Sequence, residues 1–215
     1  MARAASKGAC RLCGQPYAKA GMGRHLAKCL QARGVAGATP DAGKSARLLA
    51  IDTPYSSPYW LYVLASSDVT LHRLDRFLRD IWCECCGHLS EFSLGGANMG
   101  LSRKLATVPF EHSDLCYDYD FGDTTTLRIR VSADVTGLRL AKPLHLLARN
   151  DEPVYPCALC GGQATCLDAE DPWSEDTYHC DACADKEGLD EMRLELVNSP
   201  RTGMCGYSGP SVEPD

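Results

Sequence analysis

Eight residues near the two ends of this 215-residue chain have the types and spacing to hold metal ions. Cys10, Cys13, His25 and Cys29 follow the pattern C-x2-C-x11-H-x3-C. Cys157, Cys160, Cys180 and Cys183 follow C-x2-C-x19-C-x2-C. Zinc takes four nitrogen or sulfur ligands in a tetrahedron. A Cys-x-x-Cys turn supplies two, and a His and a Cys one helical turn apart supply two more from one helix face. Four cysteines describe a closed structural site with no coordination place left for water. Cys166 and His179 are competing ligands at the second site. The chain carries thirteen cysteines and starts without an apolar leader, so they read as thiolates of a reducing cytoplasm rather than as disulfides. The expectation is two zinc ions and a cytoplasmic location.

The first set has Tyr17 four residues after Cys13 and Met22 three before His25, where a ββα finger places its small core. The segment 1–34 therefore resembles a zinc finger of the two-cysteine, two-histidine kind, with the last ligand a cysteine (a CCHC version). The ligand pairs stand one residue closer than in that finger, and Gly14, Gly21 and Gly23 suit a knuckle and helix equally. Lys19, Arg24 and Lys28 would lie on the exposed helix face, available to nucleic-acid phosphates. A lone finger spans only about three base pairs and binds with strong salt dependence. Docking to a protein is an equal reading. The second set resembles a zinc ribbon within an acidic module, residues 150–215. Its insert, residues 168–176, surrounds Trp173 with acids, which suits a protein partner better than phosphate.

These sets need a scaffold. Residues 35–57 are rich in Gly, Ala, Ser and Pro and read as a flexible linker. Within it, Gly43-Lys44-Ser45 ends like a phosphate-binding loop, but the preceding Gly37 is one residue too distant. Residues 59–66 are apolar with aromatic and β-branched members, which predicts a strand. Leu71, Leu74, Phe77, Leu78 and Ile81 then mark one face of a helix, with Asp68 at its start and arginines on its solvated side. Cys83, Cys85 and Cys86 read as buried thiols in preference to a third metal site, since neighbouring cysteines do not easily point at one ion. Cys205, in the Pro/Gly-rich closing segment, reads as a buried thiol too. Around Gly122-Asp123, aromatics alternate with acids on one side and aliphatics with arginines on the other. Two antiparallel strands, each with one buried face, follow from that pattern.

The helix LDRFLRDIW, the following CCGHLSEF and the later YDYDFGDTTTLRIRV resemble the plasmid pRiA4b ORF-three-like family, also described as transposon passenger-protein-like. The resemblance spans residues 58–149 and rests best on His88-Leu89 with Phe92 and on Tyr119-Asp120-Phe121-Gly122-Asp123. The segment with proline and Trp-Arg between the first strand and the helix is missing. The resemblance implies a compact α+β domain and no established reaction. The expected fold is thus α+β, an antiparallel or mixed sheet with one main helix, flanked by two small zinc modules.

Charge divides along the chain. Residues 1–50 hold nine basic and one acidic side chain, whereas residues 150–215 hold three and fifteen. A basic head and an acidic tail suit different partners. The leading expectation is a zinc-binding interaction protein with no catalytic residue, associated with nucleic acid through its head in a mobile-element or regulatory setting. One alternative is a metal-assisted hydrolase using Asp118, Asp120 and Asp123 with His88 or His112. Another is a protein-binding adaptor acting through the acidic ribbon loop. No apolar run approaches the roughly 20 residues that span a bilayer.

Overall fold

The computed structural model describes residues 6–55, 57–172, 174, 176–189 and 193–210. Trp173, the anchor of the protein-partner alternative, lies outside the described residues. The architecture is α+β, as the patterning requires. A hairpin of β1 (Lys7–Ala9) and β2 (Pro16–Ala18) leads into helix α1 (Lys19–Arg33). Strands β3 (Thr39–Asp52) and β4 (Trp60–Ser66) follow, then helix α2 (Leu71–Leu78), which continues as one π-helical turn, Arg79–Cys83. Next come β5 (Ser90–Leu94), β6 (Ala97–Asn98), β7 (Leu115–Tyr119), β8 (Thr125–Arg139) and β9 (Leu144–Arg149). The C-terminal part holds β10 (Cys166–Asp168), β11 (Tyr178–His179), helix α3 (Asp181–Glu187) and β12 (Arg193–Glu195).

A seven-stranded antiparallel sheet, ordered β6-β5-β7-β8-β3-β4-β9, forms the body. Strand β4 and the C-terminal half of β3 are buried on both faces. Leu49, Ile51, Leu61 and Val63 join Leu71, Leu74, Leu78, Ile81 and Trp82 on one side. Leu48, Trp60, Tyr62 and Leu64 join Met22, Leu26 and Leu30 of α1 on the other. Burial on both faces is why residues 59–66 read as an unbroken apolar run instead of alternating.

Two expectations are corrected here. Residues 39–52 are not a linker. They form β3, hydrogen-bonded between β4 and β8. The small residues that suggested a linker have a packing reason, because Ala46 and Ala50 lie under the finger, where larger side chains would hold α1 off the sheet. Nor is the head an independent module. Gly8 sits so close to β9 that an added Cβ would fall 1.9 Å from the Arg149 carbonyl oxygen. Arg11 N–H donates to the Leu147 carbonyl (2.8 Å), Asp151 N–H donates to the Lys7 carbonyl (2.7 Å), and Cys10 bridges Ala148.

The helix reading holds for α2: Leu71, Leu74 and Leu78 are buried, as is Ile81 in the π turn, and Phe77 is half-buried. Its N-cap is Thr70, which accepts from Arg73 N–H; Asp68 instead pairs with Lys44 at 2.6 Å. Arg73 and Arg76 are exposed, whereas Arg79 turns inward to Asp75 (3.1 Å) and Glu84 (2.8 Å). The antiparallel pair around Gly122-Asp123 is β7 and β8, with Tyr117 and Tyr119 buried toward α2. Among the described residues, no helix is long and apolar enough to cross a membrane.

Candidate metal centres

In the head, the β1–β2 turn carries Cys10 and Cys13, and one face of α1 carries His25 and Cys29. The turn is closed by Gly14 N–H donating to the Cys10 carbonyl at 2.7 Å. Tyr17 stacks on the His25 ring, 4.0 Å between centroids. The four ligand atoms lie within 4.8 Å of one another, with 3.3 Å between Cys13 Sγ and His25 Nε2 and 4.0 Å between Cys10 Sγ and Cys29 Sγ. A tetrahedron with Zn–S about 2.3 Å and Zn–N about 2.0 Å has edges of about 3.8 Å between sulfurs and about 3.5 Å between S and N. The set could hold a metal ion. The short hairpin resolves the open alternative in favour of a ββα unit.

The second set also converges, with Cys160 Sγ 3.8 Å from Cys180 Sγ. Cys157 and Cys160 come from a turn, and Cys180 and Cys183 open α3. Without a cation, four thiols cannot share one space as anions. Amides of Cys160 and Cys180 pull the Cys157 thiol down to about 6, while hydrogen bonding to Cys180 and burial push Cys183 up to about 12. A dication removes that conflict. The competitors stand apart: Cys166 Sγ is spent on the His179 carbonyl (3.4 Å), and neither residue joins the cluster.

A third cluster departs from expectation. Cys83 is fully buried, as foreseen, but Cys85, Cys86, His88 and Cys205 bring their ligand atoms within the same 4.8 Å limit. Cys86 and Cys205 are exposed rather than buried thiols. The first three residues sit in the loop between the π turn and β5, and Cys205 comes from the closing segment. The signal in the sequence was Cys-Cys-x-His together with cysteines left outside the two motifs. What the sequence could not supply was the return of residue 205 across more than a hundred positions.

Arg201 makes that return possible. Its side chain is fully buried, paired with Asp120 Oδ2 (2.5 Å) and hydrogen-bonded to the Asp123 carbonyl (3.0 Å) and Thr125 Oγ1 (3.1 Å). It also lies 4.9 Å from the Tyr119 ring centroid. The guanidinium holds the Asp120 carboxyl below its ordinary range.

The hydrolase constellation does not assemble. Asp118 lies on the opposite strand face from the buried Tyr117 and Tyr119 and accepts from Thr126. Asp120, with left-handed backbone (φ 64°), turns to Arg201, with His88 at 3.4 Å. His112 is exposed beside Glu111. None of Asp118, Asp120, Asp123 and His112 belongs to a ligand cluster among the described residues. The finger's three expected phosphate contacts divide: Arg24 and Lys28 are exposed, but Lys19 pairs with buried Asp52 at 2.6 Å.

No protein-family model and no curated protein matches the chain. A solved structure similar to part of it is that of a protein of unknown function from Methanosarcina mazei Go1. The two share 17% identity over 49% of this chain and 67% of that one, with a TM-score of 0.41.

Proposed function

We propose that this chain is a zinc-organised cytoplasmic interaction protein whose docked finger offers a basic helix face to nucleic-acid phosphates. The observation that carries the reading is the division of α1. Met22, Leu26 and Leu30 are buried against the sheet, while Arg24 and Lys28, one turn apart, face outward. The ion at Cys10, Cys13, His25 and Cys29, and that at Cys157, Cys160, Cys180 and Cys183, are taken as zinc because thiolate and imidazole in tetrahedral sets suit it. With Lys19 committed to Asp52, few phosphate contacts remain, so binding would be weak, salt-sensitive and poor in sequence choice. The motifs quoted for the plasmid pRiA4b ORF-three-like family support placing the body there, in a mobile-element or regulatory setting. A second reading, a protein partner at the acidic 168–176 insert, is supported by the exposure of Glu170, Asp171 and Asp176.

The test is fluorescence anisotropy of labelled duplex and single-stranded nucleic acid across a salt series, with the intact chain and an Arg24→Ala/Lys28→Ala variant. Binding at low salt that the double variant weakens supports the reading. Absence of binding at low salt, or equal binding by the variant, overturns it.

A further inference from the structure

We infer that Cys85, Cys86, His88 and Cys205 form a third zinc site, a clasp that fastens the C-terminal segment to the sheet body. Three of the ligand-to-ligand distances match a coordination shell. Cys85 Sγ to Cys86 Sγ is 3.6 Å, Cys86 Sγ to Cys205 Sγ 3.5 Å and His88 Nε2 to Cys205 Sγ 3.4 Å, all close to tetrahedral edges. Cys86 Sγ to His88 Nε2 is shorter, 2.9 Å. Three soft thiolates and an imidazole select zinc over the hard divalent cations.

The backbone is shaped for this convergence. Among the described residues, the non-glycine positions with left-handed backbone are Asp120 and Cys205, and both lie at this cluster. Such conformations are uncommon outside glycine and concentrate where the surroundings impose them. Gly87 (φ 80°) reverses the chain between Cys86 and His88, which lets both residues face one point.

The loop is also held from behind. Glu84 accepts from Gly87 N–H (2.6 Å), from the Tyr119 hydroxyl (3.2 Å) and from Arg79 (2.8 Å). Arg79 donates to the His88 carbonyl at 2.8 Å. Groups that fix the ligands from outside are a regular part of metal sites. Three thiolates around a dication leave one negative charge, and a buried cation stands beside it: the Arg201 guanidinium lies 4.9 Å from the centroid of the Tyr119 ring, whose hydroxyl is 3.9 Å from Cys85 Sγ. Asp120 is held by Arg201 and by Gly122 N–H (3.0 Å); its Oδ2 lies 3.4 Å from His88 Nε2, and it borders the cluster without belonging to it.

This site is independent of the finger and the ribbon, and its test separates them. The full chain, purified under reducing conditions, is assayed for zinc by elemental analysis. Three ions are expected, one for each cluster. Cys205→Ser and, separately, Cys86→Ser should each lose one ion and keep the circular dichroism of the parent. Cys116→Ser, a thiol outside the clusters, should lose none. Trypsin gives a second readout. Cleavage after Arg201, fully buried in the closed form, should become several-fold faster in Cys205→Ser. Two ions in the parent chain that Cys13→Ser and Cys160→Ser account for, no change in zinc on Cys205→Ser, or a Cys86–Cys205 disulfide in the reduced preparation would overturn the clasp. Cys13→Ser and Cys160→Ser report on the finger and ribbon separately, so those sites can stand while the clasp fails.

Discussion

Leu26→Ala probes whether the finger is part of the body or a tethered appendage. Leu26 has no exposed surface and packs among residues of α1 and of the sheet, Leu48, Trp60, Tyr62 and Leu64 with them. Truncating a buried leucine costs about 2–5 kcal/mol, more where the walls cannot collapse. Here one wall is formed by β3, β4 and β9 of a seven-stranded sheet and the other by helix α1 itself, so the upper half of that range, about 3–5 kcal/mol, is expected. In a chain of this size each kcal/mol moves Tm by about 2–4 °C, giving a fall of roughly 6–20 °C. The assay is thermal and urea unfolding of zinc-loaded protein, followed by tryptophan fluorescence and by circular dichroism. Trp60 lies on the finger side and Trp82 on the other, so both probes should shift together. Zinc affinity at the finger should fall as well, because metal binding and docking draw on one folding equilibrium. The exposed-face control Lys28→Ala should leave Tm nearly unchanged. If Leu26→Ala leaves the body's transition in place and only the finger's metal affinity changes, the docked-finger reasoning is refuted.

Arg24→Ala/Lys28→Ala should lower the dependence of log K on log salt by about two contacts' worth, measured by anisotropy titration. Lys19→Ala should act through the fold instead, lowering the urea midpoint because buried Asp52 loses one of its cations while keeping Arg128 and Arg130. For Asp120, the folded carboxyl titrates below its ordinary value of 3.8. Its contribution is therefore complete above that value and lost as pH falls through the lower folded pKa. Urea midpoints should drop as pH falls from about 4 toward about 2, and Asp120→Asn should flatten that part of the profile. After chelation in otherwise native buffer, a thiol reagent should modify exposed Cys86, Cys160 and Cys205 first, and fully buried Cys83 only on unfolding, as read by peptide mass mapping.

The parts of this molecule legible in sequence are those whose signal is local. The two Cys-x-x-Cys sets, the stripe of α2 and the β7–β8 pair each declare themselves within twenty-odd residues, because ligand spacing and periodicity are short-range properties. The failures share a different cause. Residues 39–52 become a central strand through neighbours on both sides, and their small side chains make sense only once α1 lies over them. Lys19 leaves the phosphate-facing set because Asp52, thirty-three positions away, claims it. The third cluster needs residue 205 to meet residues 85–88, a contact set by buried Arg201 and by two left-handed residues that no periodicity encodes.

The bond from Arg11 to β9 carries one more consequence. β9 is the last strand of its sheet, and its free side is occupied near Leu147 and Ala148 by the Cys10–Arg11 turn. An uncovered strand margin is a template for pairing with another chain. Zinc starvation would thus bare an adhesive border, and self-association, seen as light scattering on chelation, would accompany loss of the ion.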